Sequence, residues 1–214
     1  MRRRCGGHRG IGRSGWDCVA NHHAITSVGE SLVTYLQNAF PADMRAAFPD
    51  CQFLVVSSNE MNTKFEDWGT AVTLYLHRVA VDPYLRNVSV DTDPVRSHVP
   101  VSLDLHYLLT IWAPNALAEH TILGWVVREL YTHQALSQSD LIPGADWTPD
   151  DVIQVIPGEI SNEDMMRIWD AVEPPYHLSL SYIARVVRIS PKTVDPSLPV
   201  VARRLYVDEI VETP

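Results

Sequence analysis

The amino-acid sequence predicts an α+β fold in which a mixed, mostly antiparallel β-sheet is flanked by helices. Three strand-like segments, 53–56, 71–81 and 101–111, follow one another with no helical pattern between them. A doubly wound parallel sheet would instead alternate its strands with helices. Hydrophobic residues make up 46% of the 214 residues, which is enough for one sizeable core. We therefore expect one α+β domain over residues 19–190.

The first predicted element is a helix that ends at Pro41, with Asn21 as its N-cap candidate. The next segment, 53–56, is a run of four apolar residues of the kind found in buried strands, and residues 61–70 resemble a polar turn. The helix shows a single apolar face at helical spacing. Its residues are Ile25, Val28, Leu32, Leu36 and Phe40.

Alternation of apolar and polar residues predicts the second strand at 71–81 and the third at 101–111. Between them, residues 82–100 contain three prolines and predict a long loop, a type that is usually functional or mobile. The third strand has the clearest alternation, and we expect one of its faces to be buried. The residues of that face are Val101, Leu103, Leu105, Tyr107, Leu109 and Ile111.

A long helix is predicted at 116–134, directly after the third strand. We expect Leu123 and Val127 of this helix to cover Leu105 and its neighbours on the strand. The apolar side of the helix is predicted to carry six residues. They are Leu117, His120, Leu123, Val127, Leu130 and Tyr131.

Three more elements complete the predicted domain. A short strand at 151–156 is followed by a short helix with Ser161 as its N-cap, and a last strand covers 178–189. From residue 191 onward the sequence is interrupted by prolines, so we assign residues 191–214 to a C-terminal extension.

Charge is distributed unevenly along the chain. Residues 1–18 hold five arginines and one aspartate, although the formal net charge of the whole chain is −9. Of three interpretations of this segment, a secretory signal needs an apolar stretch that is absent, and a basic nucleic-acid arm conflicts with the acidic remainder. The third is a start codon assigned too far upstream. We favour it and expect residues 1–18 to be disordered or a mis-annotated extension.

The acidic remainder of the chain bears on its partners. It repels a phosphate backbone, so we expect no nucleic-acid partner. No apolar run reaches the length of about 18 residues that a membrane span requires, so we expect no membrane partner. Only Cys51 lies outside the first 18 residues, which excludes a disulfide framework and indicates a reducing compartment.

No local motif indicates an enzyme. The nine histidines and three cysteines include neither an HExxH nor a Cys-x-x-Cys motif, and the G-x-S-x-G and phosphate-binding glycine motifs are also missing. Cys51 precedes an apolar strand and is expected to pack into the core. We therefore expect no catalytic, cofactor-binding or metal-binding residue. Two alternatives remain: a metal-dependent hydrolase that uses His106, His120 and Glu119, and a monomeric adaptor protein.

Four stretches taken together resemble one bacterial family. They are ANHHAITSVGESLVTYL (20–36), VSLDLHYLLTIWAP (101–114), AEHTILGWVVRELYTHQAL (118–136) and EDMMRIWDAVEPPYHLSLSYIARVVRI (163–189). Their combination and order resemble the N-terminal domain of the cap protein of extracellular contractile injection systems. These phage-tail-like particles include the Photorhabdus virulence cassettes and the Serratia antifeeding prophage.

This resemblance implies a structural role and a fold like that of phage tail terminators. Family members form a sixfold ring at the particle end farthest from the baseplate, where they stop growth of the inner tube and engage the last sheath ring. By resemblance, this chain is expected to form a hexamer with tube and sheath as partners. It would be assembled in the cytoplasm of a bacterium as a component of the particle.

Arginines are the interface candidates in so acidic a protein. The planar guanidinium pairs with carboxylates in a bidentate manner and is weakly hydrated, so arginine is favoured at protein contacts. The candidates are Arg128, Arg185, Arg188, Arg203 and Arg204.

Overall fold

The computed structural model describes residues 20–82 and 101–189. The strands are β1 (Gln52–Val56), β2 (Ala71–Val81), β3 (Val101–Trp112), β4 (Ala135–Leu136), β5 (Ile153–Pro157) and β6 (Ser179–Ile189). The helices are α1 (Ala24–Ala39), α2 (Ala42–Ala47), α3 (Ser58–Thr63), α4 (Ala116–Thr132) and α5 (Asn162–Asp170), with a 3-10 turn at Phe65–Asp67. None of these described helices is long and apolar enough to cross a membrane.

The strands form one sheet in the order β1-β2-β3-β6-β5-β4. β1 and β2 run parallel, while the other neighbouring strands pair antiparallel. The predicted mixed, mostly antiparallel sheet is therefore confirmed. The parallel pair needs a crossover between its strands, and residues 57–70 supply it with α3 and the 3-10 turn. The predicted loop over 82–100 lies outside the described residues, apart from Asp82.

Helices α1 and α4 cover one face of the sheet. The β3 residues Leu105, Tyr107 and Leu109 lie in the core of this face and are at most 1% exposed. The predicted face of α1 is also confirmed, because Val28 and Leu32 are fully buried in the same cluster. Alternation along β3 therefore predicted this side of the core correctly except for Val101 at the start of the strand, which is 45% exposed.

The predicted apolar side of α4 is partly wrong. Leu123 is half-buried against the core, but Val127 is 40% exposed and does not cover β3. The physical reason is that apolar residues surround much of this helix, so periodicity alone does not select a face. Residues of the neighbouring flank fill the core instead, together with Leu130 of the predicted side. The buried residues of α4 are Ala118, Ile122, Trp125, Val126 and Leu130.

Helices α3 and α5 and the 3-10 turn cover part of the other face of the sheet. Their apolar residues pack with Leu108 and Trp112 of β3 in a second cluster that also contains Trp68 and Trp169. The three tryptophans of this cluster are at most 6% exposed.

The prediction of a polar turn over residues 61–70 is confirmed only in part, because residues 64–70 form a 3-10 turn and bends, whereas residues 61–63 belong to α3. Ser57 and Glu60 form a capping box that starts α3, with the Glu60 backbone N–H donating to Ser57 Oγ at 3.3 Å. Met61 is fully buried and Trp68 is 6% exposed, so two apolar side chains anchor the segment to the sheet. Because only two apolar residues of this short segment are buried, its hydrophobic periodicity is too weak to be recognised as helical in the sequence.

The start of α1 is joined to the loop between β4 and β5. The N-cap of α1 is His23, so the prediction of Asn21 as the N-cap is wrong. The Asn21 side chain accepts a hydrogen bond from the His23 backbone N–H at 2.8 Å. It also donates to Gly144 O at 3.2 Å and to Asp146 Oδ2 at 2.7 Å, so Asn21 ties the helix start to this loop.

Gly158 follows β5 at a point where the backbone passes close to β6. A Cβ atom there would lie 2.6 Å from Ser181 Oγ and 2.9 Å from Ile183 Cγ1. We expect Gly158→Ala to lower the free energy of unfolding by about 1–3 kcal/mol, because the added methyl overpacks this contact. Urea denaturation of the two proteins measures the difference.

The matched control for this substitution is Gly124→Ala in the middle of α4. A Cβ there meets nothing within 4 Å, so the methyl adds no clash. The control is expected to be neutral or to stabilise by up to about 1 kcal/mol, since alanine is the better helix former. Equal effects of the two substitutions would contradict the close approach at Gly158.

Candidate interaction surfaces

The outer side of α4 is an exposed, largely apolar strip that we call the α4 stripe. Leu117 is 79% exposed and Tyr131 is 74% exposed. Residues seven apart on a helix lie almost above one another, so Leu117, Gly124 and Tyr131 form one line along the axis. The α4 stripe comprises this line and its neighbours. Its residues are Leu117, His120, Gly124, Val127, Arg128 and Tyr131.

The α4 stripe carries no carboxylate, because the two acidic residues of the helix make contacts to its sides. Glu129 accepts a hydrogen bond from the Tyr35 hydroxyl at 2.6 Å and lies 3.2 Å from His133 Nδ1. Burial, followed by this bond to Glu129, raises the pKa of Tyr35 far above its usual value. Glu119 accepts from the Leu178 backbone N–H at 3.4 Å. The charged group that remains on the stripe is Arg128, which has no ion-pair partner among the described residues.

A second exposed surface lies on α5 and the turn after it, across the sheet from α4. Met166 is 42% exposed and Tyr176 is 49% exposed. Residues 159–173 hold five carboxylates and one arginine. That arginine, Arg167, is held by Glu163 through a contact of 2.6 Å. We call this acidic and apolar area the α5 surface; its residues are Glu163, Met166, Asp170, Glu173 and Tyr176.

A third surface, which is polar, lies where β2 ends and β3 begins. We call it the sheet-end patch. Residues directly opposite on paired strands share a face, so Arg78 lies beside His106 and Arg188 beside Ser102. Arg185 donates from Nε to Asp104 Oδ2 at 3.3 Å. The residues of the patch are His77, Arg78, Ser102, Asp104, His106, Arg185 and Arg188.

Bulges and unpaired atoms mark the same patch. The pairing register shifts at His77 in β2, and the pairing of β3 with β6 shifts between Leu103 and Leu105. Bulges turn side chains out of the regular alternation. Three buried polar atoms here lack a hydrogen-bond partner within the described residues: His77 Nε2, Ser102 Oγ and Asp104 Oδ1. Residues 83–100 and 190–214 connect to the sheet at this end and lie outside the described residues.

A cavity of about 590 Å³ adjoins the patch between the sheet and α5. His77 and His106 line it from the sheet side, and Ser161 and Asp164 line it from the helix side. Burial lowers the pKa of both histidines, and the positive charge of Arg78 lowers both further. The Ser161 hydroxyl caps α5 by accepting from the Asp164 backbone N–H at 3.0 Å. The cavity therefore presents neutral imidazoles beside a serine that is already engaged in capping.

The structure does not bring together the three residues of the hydrolase alternative. His106 lines the cavity on the α5 face of the sheet, whereas His120 lies on the α4 stripe on the other side. Glu119 contacts Leu178, whose carbonyl accepts from the Ile111 backbone N–H. Ile111 is five residues along β3 from His106, or about 17 Å at the usual strand rise. Within residues 20–82 and 101–189, no cluster of three or more His, Cys, Asp or Glu has metal-binding geometry.

The five arginines predicted at interfaces separate into three groups. Arg128 lies on the α4 stripe, and Arg185 and Arg188 lie on the sheet-end patch. Arg203 and Arg204 lie outside the described residues. Arg78 also lies on the sheet-end patch, but it was not among the predicted interface arginines. The apolar alternation of β2 stops shortly before Arg78, and this change of pattern could have indicated an exposed polar position.

Cys51 has a structural role in the core. It is half-buried and packs against the α1/α4 core, as expected from the sequence. Burial raises the pKa of its thiol to about 11, so the reactive thiolate is scarce at neutral pH.

The described elements form an α+β domain whose mixed six-stranded sheet has helices packed on both faces. The family model of the Pvc16 N-terminal domain matches residues 27–203. The chain therefore belongs to the Pvc16 N-terminal domain family, and the family predicted from sequence resemblance is confirmed. A comparison with curated protein sequences gives no match.

Two of the solved structures that match the chain are injection-system proteins. The sheath/tube terminator of a PVC extracellular contractile injection system, in its extended state, matches at a TM-score of 0.52 and 19% identity. The match covers 89% of this chain and 65% of the terminator chain, so the chain spans just under two thirds of that protein. The anti-feeding prophage cap, a tube-terminating cap, matches at a TM-score of 0.42 and 18% identity, over 64% of this chain and 50% of the other. This second likeness is too weak to establish a shared fold.

Proposed function

We propose that the chain is a cap subunit of a phage-tail-like contractile injection system. In this role it forms a sixfold ring that ends growth of the inner tube and engages the last ring of sheath. The particle is assembled in the cytoplasm of a bacterium. The observation that carries the proposal is the match to the Pvc16 N-terminal domain over residues 27–203, which includes all six strands of the described sheet. The fold shared with the PVC sheath/tube terminator supports it.

The mechanism proposed for this role is geometric and requires no reacting group. A contact between two different surfaces, repeated around a closing rotation, gives a ring. One side of such a ring matches the end of the tube, and its other side offers no site for a further tube ring. The exposed helical surfaces on opposite faces of the sheet support this mechanism, since a ring of this kind needs two distinct surfaces on each subunit.

Deleting the gene in a producing strain tests the function. We expect the deletion strain to release particles with tubes of variable length, or with sheath that does not stay extended, because nothing ends the tube. Electron microscopy of purified particles gives the length distribution. Restoring the gene on a plasmid should return the tubes to a uniform length. Uniform tubes with extended sheath in the deletion strain would overturn the proposed function.

A further inference from the structure

We propose that the α4 stripe of one copy binds the α5 surface of the next copy. The inference rests on the proposed function, since it identifies the two surfaces through which neighbouring subunits of the ring meet. Each surface has an apolar centre that is open to solvent. Leu117 and Tyr131 form this centre on the stripe, and Met166 and Tyr176 form it on the α5 surface.

The charges of the two surfaces are complementary. The stripe presents Arg128 and no carboxylate, because Glu119 and Glu129 are engaged beside the helix. The α5 surface presents Asp170 and Glu173 around its apolar residues. An apolar centre with a charged rim is the usual arrangement of a protein interface. Complementary charge also disfavours contact of either surface with itself, so the pairing selects head-to-tail association.

The position of the surfaces fits a repeating contact. The stripe belongs to the helix layer that packs on Leu105 and Tyr107, while α5 packs on Leu108 and Trp112 of the opposite face. Two complementary surfaces on opposite sides of one subunit make a heterologous contact, which continues from copy to copy and closes into a ring when the rotation allows. A symmetric dimer would instead use the same surface on both subunits.

The shape of the stripe also favours a macromolecular partner. From Leu117 to Tyr131 it is about 21 Å long at the rise of an α-helix. Gly124 lies at its middle with nothing within 4 Å of the position of a Cβ atom, so another backbone can approach closely there. A second copy is the occupant that supplies the matching acidic and apolar surface from this same sequence.

Site-specific photo-crosslinking within assembled particles tests the contact. The full chain carrying a benzophenone amino acid in place of Tyr131 is produced in the native strain, and the crosslinked product is mapped by mass spectrometry. We expect a dimer of the chain, joined between position 131 and residues 159–176. The control places the same amino acid at Val152, which is 47% exposed but lies outside both surfaces. This control should give no link to residues 159–176.

Charge substitution then tests the complementarity by the same readout. Arg128→Glu is expected to lower the yield of the crosslink at least tenfold, and adding Asp170→Arg to that chain should restore most of it. The control is the double variant Thr34→Glu, Gln37→Glu on the exposed side of α1. It lowers the net charge by the same two units as Arg128→Glu and should leave the yield unchanged. Circular dichroism confirms that each variant is folded.

Several results would overturn the inference. A link from position 131 to the tube or sheath protein, a link to another part of the chain, or no link at all would each do so. A yield that is insensitive to Arg128→Glu would do the same. These outcomes are separate from the deletion experiment, because tubes of variable length without this crosslink would leave the cap function intact and refute only the contact.

Discussion

Replacing Trp112 by alanine should lower the free energy of unfolding by about 3–5 kcal/mol, the usual cost of removing a buried tryptophan. Trp112 is 3% exposed at the centre of the second cluster. Its ring centroid lies 4.3 Å from that of His177, 5.0 Å from Trp68 and 6.1 Å from Trp169. Alanine would remove these contacts and leave a cavity between α5 and the sheet.

The hydrogen bond of Trp112 can be separated from its packing. The indole Nε1 donates to Thr73 Oγ1 at 2.8 Å inside the sheet layer. Trp112→Phe keeps an aromatic ring and removes this donor, so we expect a smaller loss of about 1–3 kcal/mol. Urea denaturation followed by circular dichroism measures both variants. A loss below about 1 kcal/mol for the alanine variant would show that Trp112 is not central to this cluster.

Replacing Leu105 by alanine should lower the free energy of unfolding by about 2–5 kcal/mol. Leu105 is fully buried near the middle of the sheet, paired with Val79 on one side and Ala184 on the other. The removed methyl groups leave a cavity that its neighbours fill only in part, because the two flanking strands fix their positions. The measurement is again the midpoint and slope of a urea transition.

The matched control is Leu117→Ala, which makes the same chemical change at a position that is 79% exposed. We expect this control to change the free energy of unfolding by no more than about 0.5 kcal/mol, as is usual for surface substitutions. Similar losses at the two positions would mean that α4 packs through Leu117, contrary to the exposed stripe.

Much of the fold could be predicted because the strands carry their own pattern. In β3, apolar residues alternate with polar ones for most of its length, and this fixed the face on which Leu105 and Tyr107 lie. The order of strands could not be obtained in this way. Nothing local in residues 52–56 reveals that β1 pairs parallel with β2, since pairing depends on the crossover through α3.

The surfaces were harder to predict than the core. Arg128 was identified as an interface candidate from its charge, but the exposed stripe around it was predicted to be the buried side of α4. Periodicity gives the same signal for an apolar side that packs internally and for one that awaits a partner. In the folded chain, Ile122 and Trp125 fill the space above the sheet, so their side of α4 is the buried one and the stripe stays exposed.

The place of β6 in the sheet dictates when the protein can fold during its synthesis. β6 is the last described strand along the chain, yet it lies between β3 and β5. Until residue 189 has left the ribosome, β1–β3 and β4–β5 form separate fragments, each with an open edge of unpaired backbone groups. The nascent chain therefore has to keep the β3 edge apart from other strands while some sixty-six residues, 113–178, are still being added, and the β5 edge while residues 158–178 are added. Insertion of β6 joins the fragments in one late step, so a ribosome that stalls before residue 179 leaves a product prone to aggregation.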